Sequence, residues 1–472
     1  MAFLNALYRE YKSLHVTKQN LVIAGRLFNF GIKFMIPLIL VRLFSQSDYG
    51  TYQKYITSLL FFSTYFSLGL DQSIMYFISP RISKGNLSLL AYNLIVLLWT
   101  ILLFGLIHFV HVVFPNMWYF PETISFNITI ALLVFNLSSE FVFIALNKYK
   151  SYFLFSVLNS LIRVVLLATF LWFDLSLDSA YSFLMWFELI KFCWYISFSL
   201  SQTRREDFRV NLEQTKEVLK YSLTMHLANL VGSTGRGIER YMFLGILTAN
   251  EFAIYGIAMF RIPYLDIVRG SFGSILIADL KQKKKTEANI SSRLAIIVYP
   301  SVMFALLNAN QIIEILFTES YLNVVPYYRL TALSFLLYPL LLAPYFQAFN
   351  LRKEFLKAEI TTLILGVLSA VILIYLFGLL GGIVSFSLIS VSSGLIQLYF
   401  LPKMYRDDIL SKSLEKSSVM YVLTSVIAVL VVNRLFALVD YSDGSNFWLL
   451  IPNALTCVLL TIGLKRYFKC VV

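Results

Sequence analysis

Fourteen stretches of about 20 apolar residues, each long enough to cross a bilayer as an α-helix, constrain this chain more than any other feature. They fall near 22–42, 54–70, 89–114, 123–145, 152–173, 179–200, 221–246, 251–275, 294–312, 326–349, 358–378, 380–402, 418–438 and 446–464. Inside lipid the backbone must satisfy its own hydrogen bonds, so the expected fold is an all-α polytopic membrane protein. Composition agrees: of 472 residues, 58% are hydrophobic and only 14% charged, too few charges to cover a soluble core of that size. The first 20 residues carry Arg9, Lys12 and Lys18 and no apolar stretch ending in small residues. They read as a lead-in to the first span, with no cleavable signal peptide.

The formal charge of +13 is explained by where the cations sit. One set of connections, with the two ends, holds twenty-seven Lys and Arg; the opposite set holds only Arg42, Lys54, Arg329 and Arg434. The positive-inside rule then makes both termini cytoplasmic, with the KQKKK run at 281–285 a solvated loop. This basic balance orients a membrane protein and implies no nucleic-acid partner. Three scattered cysteines (Cys193, Cys457, Cys470) make no disulfide framework. Neither they nor the four histidines have metal-ligand spacing, so no metal, cofactor or catalytic residue is expected. The outward loops are too short for a catalytic domain, and the chain does not read as an enzyme.

The chain also repeats itself. The turn SQSDYGTY (45–52) matches TANEFAIY (248–255) at an offset of 203: Ser45 with Thr248, Asp48 with Glu251, Tyr49 with Phe252, Tyr52 with Tyr255. Ser or Thr followed three residues on by an acid is a capping box, which starts a helix after a sharp turn. Six spans lie within the offset, an even number. The expected architecture is therefore two six-helix lobes of the same orientation, related by a pseudo-two-fold axis along the membrane normal and enclosing a cleft. The lobes would be 1–205 and 206–403, with a C-terminal helix pair over 404–472.

Eight cations fall inside spans: Arg26, Lys33, Arg163, Lys191, Arg236, Arg240, Arg261 and Arg269. Facing lipid at mid-depth they would cost on the order of 20 kcal/mol, so most must face protein or water. Arg26, Asn29 and Lys33 share one stripe of the first span, and His226, Asn229, Ser233, Arg236 and Arg240 one stripe of the seventh. At the repeat offset Lys33 falls on Arg236 and Arg26 on Asn229. Two cationic stripes at matching height suit a cavity for an anion, with Arg26, Lys33, Arg236 and Arg240 as its binding cations. The acids Asp71, Glu140, Glu188, Glu239 and Asp266 are fewer. Three sit at helical spacing from a cation: Glu188 from Lys191, Glu239 from Arg236, Asp266 from Arg269. They read as structural pairs, or, with Glu140, as an ion or proton relay.

Three segments resemble a known family. GRLFNFGIKFMIPLILVRLFSQSDYGTYQKY (25–55) is similar to the opening span and turn of the Wzx-type O-antigen and capsule polysaccharide flippases, in the multidrug/oligosaccharidyl-lipid/polysaccharide exporter superfamily. SLGLDQSIMYF (67–77) is similar to the element ending their second span, and EILFTESYLNVVPYYRLTAL (314–333) to the turn after their ninth. NLRKEF (350–355) departs from them where relatives often have a Gly-Lys element. The resemblance implies a flippase that moves an undecaprenyl-pyrophosphate-linked oligosaccharide across the membrane by alternating access. Its partners would be membrane lipids, a polysaccharide polymerase and a chain-length regulator. The alternatives are a drug/cation antiporter of the same superfamily, which would favour acidic cavity residues, and a membrane-embedded polymerase or ligase, which would favour a large outer loop or an intramembrane His/Asp pair.

Overall fold

The computed structural model describes residues 18–70, 89–113, 124–173, 176–202, 212–260, 287–349 and 351–403, with scattered positions between 265 and 280. The expected spans 418–438 and 446–464 lie outside the described residues. All regular structure among the described residues is helical. The helices are α1 (Lys18–Leu43), α2 (Gln46–Phe66), α3 (Leu89–Val113), α4 (Ile124–Asn136), α5 (Ser139–Ala145), α6 (Tyr149–Phe173), α7 (Leu177–Ser201) and α8 (Leu212–Gly235). They continue with α9 (Ile238–Ile246), α10 (Ala249–Ala258), α11 (Glu287–Leu307), α12 (Ala309–Phe317), α13 (Val325–Leu333), α14 (Ala343–Ala348) and α15 (Arg352–Phe400). Six helical segments among the described residues are long and apolar enough to cross a membrane, or seven if the bent pair α11–α12 is one span. The chain divides into two compact units: Met1–Phe44 with Lys54–Leu230, and Ser45–Gln53 with Val231–Val472.

In the first unit, Phe135 packs edge-on against Tyr195, and Phe143 against Phe155, in a fully buried aromatic core. Leu98, Ile101, Leu102 and Phe109 on α3 are exposed instead, as a face toward lipid tails requires. Because lipid is as apolar as leucine, helices in a membrane associate through small residues that permit close contact. Gly25 of α1 meets Ser156 of α6 in this way: the Ser156 hydroxyl donates to the Gly25 carbonyl at 2.8 Å. A β-carbon on Gly25 would lie 3.2 Å from that of Ser156.

The second unit contains both repeat-related turns. Thr248 caps α10 with a complete capping box: its hydroxyl accepts the Glu251 N–H (3.3 Å) and its own N–H donates to the Glu251 carboxylate (2.9 Å). At the start of α2 the Ser45 hydroxyl accepts the Asp48 N–H (3.1 Å) and donates to the Asp48 carboxylate (2.6 Å). The Glu251 carboxylate likewise accepts from the Thr248 hydroxyl, at 2.8 Å. The two turns touch. Gln46 donates to the Asn250 carbonyl (3.5 Å), and a β-carbon on Gly50 would lie 1.7 Å from the Ala249 carbonyl oxygen. Only glycine fits at that crossing.

Several expected spans are not continuous helices. The seventh breaks at Arg236–Gly237, between α8 and α9, where the flanking Gly235 and Gly237 weaken the helix. The fourth breaks at Leu137–Ser138, where the Ser138 and Ser139 hydroxyls bond the Phe135 and Asn136 carbonyls. The ninth, expected over 294–312, bends by 79° between α11 and α12. There the Asn308 side chain takes the Phe304 carbonyl at 3.1 Å and so competes with the helix backbone.

α15 carries the eleventh and twelfth expected spans as a hairpin. Its 49 residues include Gly378 at φ 55°, ψ −128°. Ser369 and Ser385 hydroxyl oxygens lie 2.9 Å apart, and Gln397 donates to Glu359 at 3.0 Å. A straight helix, at about 1.5 Å per residue, would hold those pairs about 24 and 57 Å apart. The chain therefore folds back at Gly378, in a backbone conformation that disfavours side chains. Gly378→Ala is expected to lower stability by about 1–3 kcal/mol, read as a fall in thermal unfolding temperature in detergent. The control Gly105→Ala, mid-helix with nothing within 4 Å of the added β-carbon, should be neutral or stabilising.

Candidate functional site: intramembrane cations in each unit

The first unit gathers ionic side chains from four elements. Lys33 on α1 is exposed, and charges from three other elements act on it: Arg163 of α6, Glu140 of α5, and Glu188 and Lys191 of α7. Arg163 and Glu188 form an ion pair at 3.9 Å, and the Arg163 guanidinium lies 4.1 Å from the centre of the Phe187 ring. Glu188 is buried and also accepts from Asn136 at 2.8 Å. Two turns before Lys33, Arg26 is exposed beside the Tyr152 hydroxyl, which has Glu140 as a second charged neighbour. Asn29, between the two cations, is half-buried. Arg26 and Lys33 thus belong, among the described residues, to a group of four cations and two carboxylates. An excess of positive charge in a low-dielectric setting attracts anions strongly.

Among the described residues of the second unit, Arg236 has a carboxylate partner. The close crossing of α8 and α15 explains why: a β-carbon on Gly366 would lie 2.2 Å from the Gly235 carbonyl oxygen, and one on Gly232 2.3 Å from a Glu359 carboxylate oxygen. These glycines bring Glu359 onto Arg236 at 2.6 Å, and Gln397 holds the other oxygen of the carboxylate. Glu359 is 2% exposed at its side chain and Arg236 43%. Beside the pair lies a cavity of about 570 Å³, also lined by Asp266, Arg269 and Tyr338. The Tyr338 hydroxyl donates to Asp266 at 3.0 Å, and the Arg269 guanidinium stacks 4.6 Å from the Tyr338 ring centre.

These contacts revise the expected seventh-span stripe. Because the helix breaks at Arg236–Gly237, Arg240 sits on α9, with Tyr255 and Glu239 beside it, and Tyr255 donates to Glu239 at 3.2 Å. His226 is buried with its ring nitrogen 3.0 Å from the Tyr65 carbonyl, a packing role instead of a cavity-lining one. Ser233 is exposed. The Asn229 side chain, Asp71 and Arg261 lie outside the described residues. Of the expected pairings, Glu188 takes Arg163 as an ion-pair partner and Arg236 takes Glu359. Glu359 and Gln397 escaped the sequence reading. Glu359 sits in the charged lead-in RKEFLKAE, which looks like loop, and only the glycine crossing shows its depth. Among the described residues, no three His, Cys, Asp or Glu side chains converge as a metal ion would need.

Residues 18–261 match the family described as "Polysaccharide biosynthesis protein". The chain belongs to that family. No curated protein matches it. Among solved structures it is similar to the lipid II flippase MurJ in an inward closed conformation, with a TM-score of 0.66, 15% identity, and coverage of 95% of this chain and 98% of that one. It is also similar to a MOP-superfamily transporter from Pyrococcus furiosus (TM-score 0.58, 15% identity, 84% and 97% covered). A third is an outward-facing multidrug resistance MATE transporter (TM-score 0.56, 15% identity, 84% and 97% covered). The fold of this polysaccharide biosynthesis family member is thus that of MOP-type transporters.

The matched pair makes an asymmetric prediction. Arg236→Gln strands a buried carboxylate and should cost about 1–3 kcal/mol, whereas Glu359→Gln strands a cation that still reaches water and should cost less. The double substitution should recover much of the first loss, measured by thermal unfolding of the four proteins as a double-mutant cycle.

Proposed function

We propose that this protein is a flippase for an undecaprenyl-pyrophosphate-linked oligosaccharide, serving O-antigen or another surface polysaccharide. The observation that carries the reading is the excess of cations around exposed Lys33, within the apolar spans of a polysaccharide biosynthesis family member. A pyrophosphate crosses a low-dielectric layer only if counter-charge and hydrogen-bond donors replace its water. Arg26 and Lys33, with Arg163 and Lys191 behind them, supply both, Arg by bidentate bonds. Arg236 and Arg240 complete the assigned binding set. Each has a carboxylate at hand, Glu359 and Glu239, and so offers an anion less net field. The likeness in fold to a flippase of another lipid-linked precursor supports the same assignment.

The proposed topology has fourteen spans: two six-helix lobes and a C-terminal pair, with both termini cytoplasmic in a bacterial inner membrane. Transport proceeds by alternating access, with a polymerase and a chain-length regulator as partners. Glu140, Glu188, Glu239 and Asp266 are the acids available for ion coupling, and no catalytic residue is assigned. The MATE-like fold favours a second reading, a multidrug/cation antiporter, but the surplus cations of the first unit would repel cationic drugs.

Complementation of a flippase-null strain tests the assignment. Lys33→Gln and Arg26→Gln, expressed at normal levels, should each cut surface polysaccharide at least tenfold and leave lipid-linked oligosaccharide on the cytoplasmic side. Normal surface polysaccharide in both would remove these cations from the mechanism.

A further inference from the structure

We infer that the cavity of about 570 Å³ in the second unit is a carbohydrate-binding subsite, which takes the neutral, hydroxyl-rich part of the substrate. The inference rests on the flippase reading and divides the labour within it. Charge balance is the first argument. Arg236 and Arg269 line the cavity with Glu359 and Asp266, two cations against two carboxylates. Among the described residues, the group about Lys33 and Arg26 in the first unit sets four cations against two carboxylates. A phosphate entering the cavity would meet both carboxylates, and an acyl chain would leave all four charges desolvated. A hydroxyl group suits every wall, because it donates to a carboxylate and accepts from a guanidinium or an amide.

Rigidity is the second argument. Glu359 is held by Arg236 and Gln397, Asp266 by Tyr338, and Arg269 by the Tyr338 ring, so the polar groups are set in place before a ligand arrives. Preorganised polar groups characterise small-molecule sites, and the volume lies in their range of about 300–1,000 Å³.

The third argument is that glycines keep the space open. Gly232, Gly235 and Gly366 have backbone or side-chain atoms within 3 Å of an added β-carbon, as helix crossings demand. The cavity-lining glycines differ. A β-carbon on Gly270 would meet nothing within 4 Å, on Gly273 only Pro344 at 3.7 Å, and on Gly394 only Leu337 at 3.9 Å. Among the described residues, no close helix contact requires glycine there. A larger side chain would take up part of the cavity.

The test compares two lipids on the purified full-length protein in nanodiscs: undecaprenyl pyrophosphate, and the lipid-linked oligosaccharide extracted from cells depleted of this protein. Wild type should prefer the sugar-bearing lipid by at least tenfold. Gly394→Leu and Gly270→Leu, two independent ways to narrow the cavity, should each erase most of that preference in folded protein, whereas Lys33→Gln should weaken both lipids and preserve it. The subsite is overturned if wild type binds both lipids equally, or if the preference survives in the folded leucine variants. If wild type binds neither lipid, the flippase reading itself fails and the subsite falls with it.

Discussion

An ionic side chain inside a bilayer must find another charge or water, and that requirement organises this protein. The first unit sets two further cations and two carboxylates about Lys33 yet leaves it exposed. The second buries Glu359 and covers it with Arg236 and Gln397. The two solutions have different chemical consequences. A surplus of accessible cations can take an anion, while a balanced set can only exchange hydrogen bonds. Packing serves both ends: Gly25 against Ser156 and Gly235 against Gly366 allow backbones to approach where lipid gives no hydrophobic drive for association.

The helical class of the protein is legible from hydropathy alone, because a run of apolar residues in lipid has essentially one hydrogen-bonded solution. The capping motif at Thr248–Glu251 is legible for a similar reason: local chemistry determines it, and the hydrogen bonds follow. The α1 stripe of Arg26, Asn29 and Lys33 also follows from spacing, since that stretch of helix is unbroken.

What the sequence conceals depends on contacts distant along the chain. Helical spacing links Arg236 to Glu239, but a glycine crossing places Glu359, 123 residues on, at 2.6 Å. Spacing likewise puts Arg240 on one stripe with His226, whereas a break flanked by Gly235 and Gly237 separates them and the histidine is spent on the Tyr65 carbonyl. Each break coincides with glycine, serine or asparagine, residues that tolerate helix or break alike. Pattern alone therefore cannot locate them.

The α15 hairpin also serves as a depth gauge. Glu359 and Gln397 each stand nineteen residues from Gly378, about 28 Å along the helix axis, close to the full hydrocarbon thickness of about 30 Å. Arg236 is therefore moored at the end of the hairpin opposite the Gly378 turn. The cavity wall contributed by the returning helix, Phe386 to Gln397, climbs from the middle of the hairpin toward that same end. In the proposed topology, with both termini cytoplasmic, that end of the hairpin faces the cell interior. The cavity would then meet the proposed ligand before any part of it has crossed.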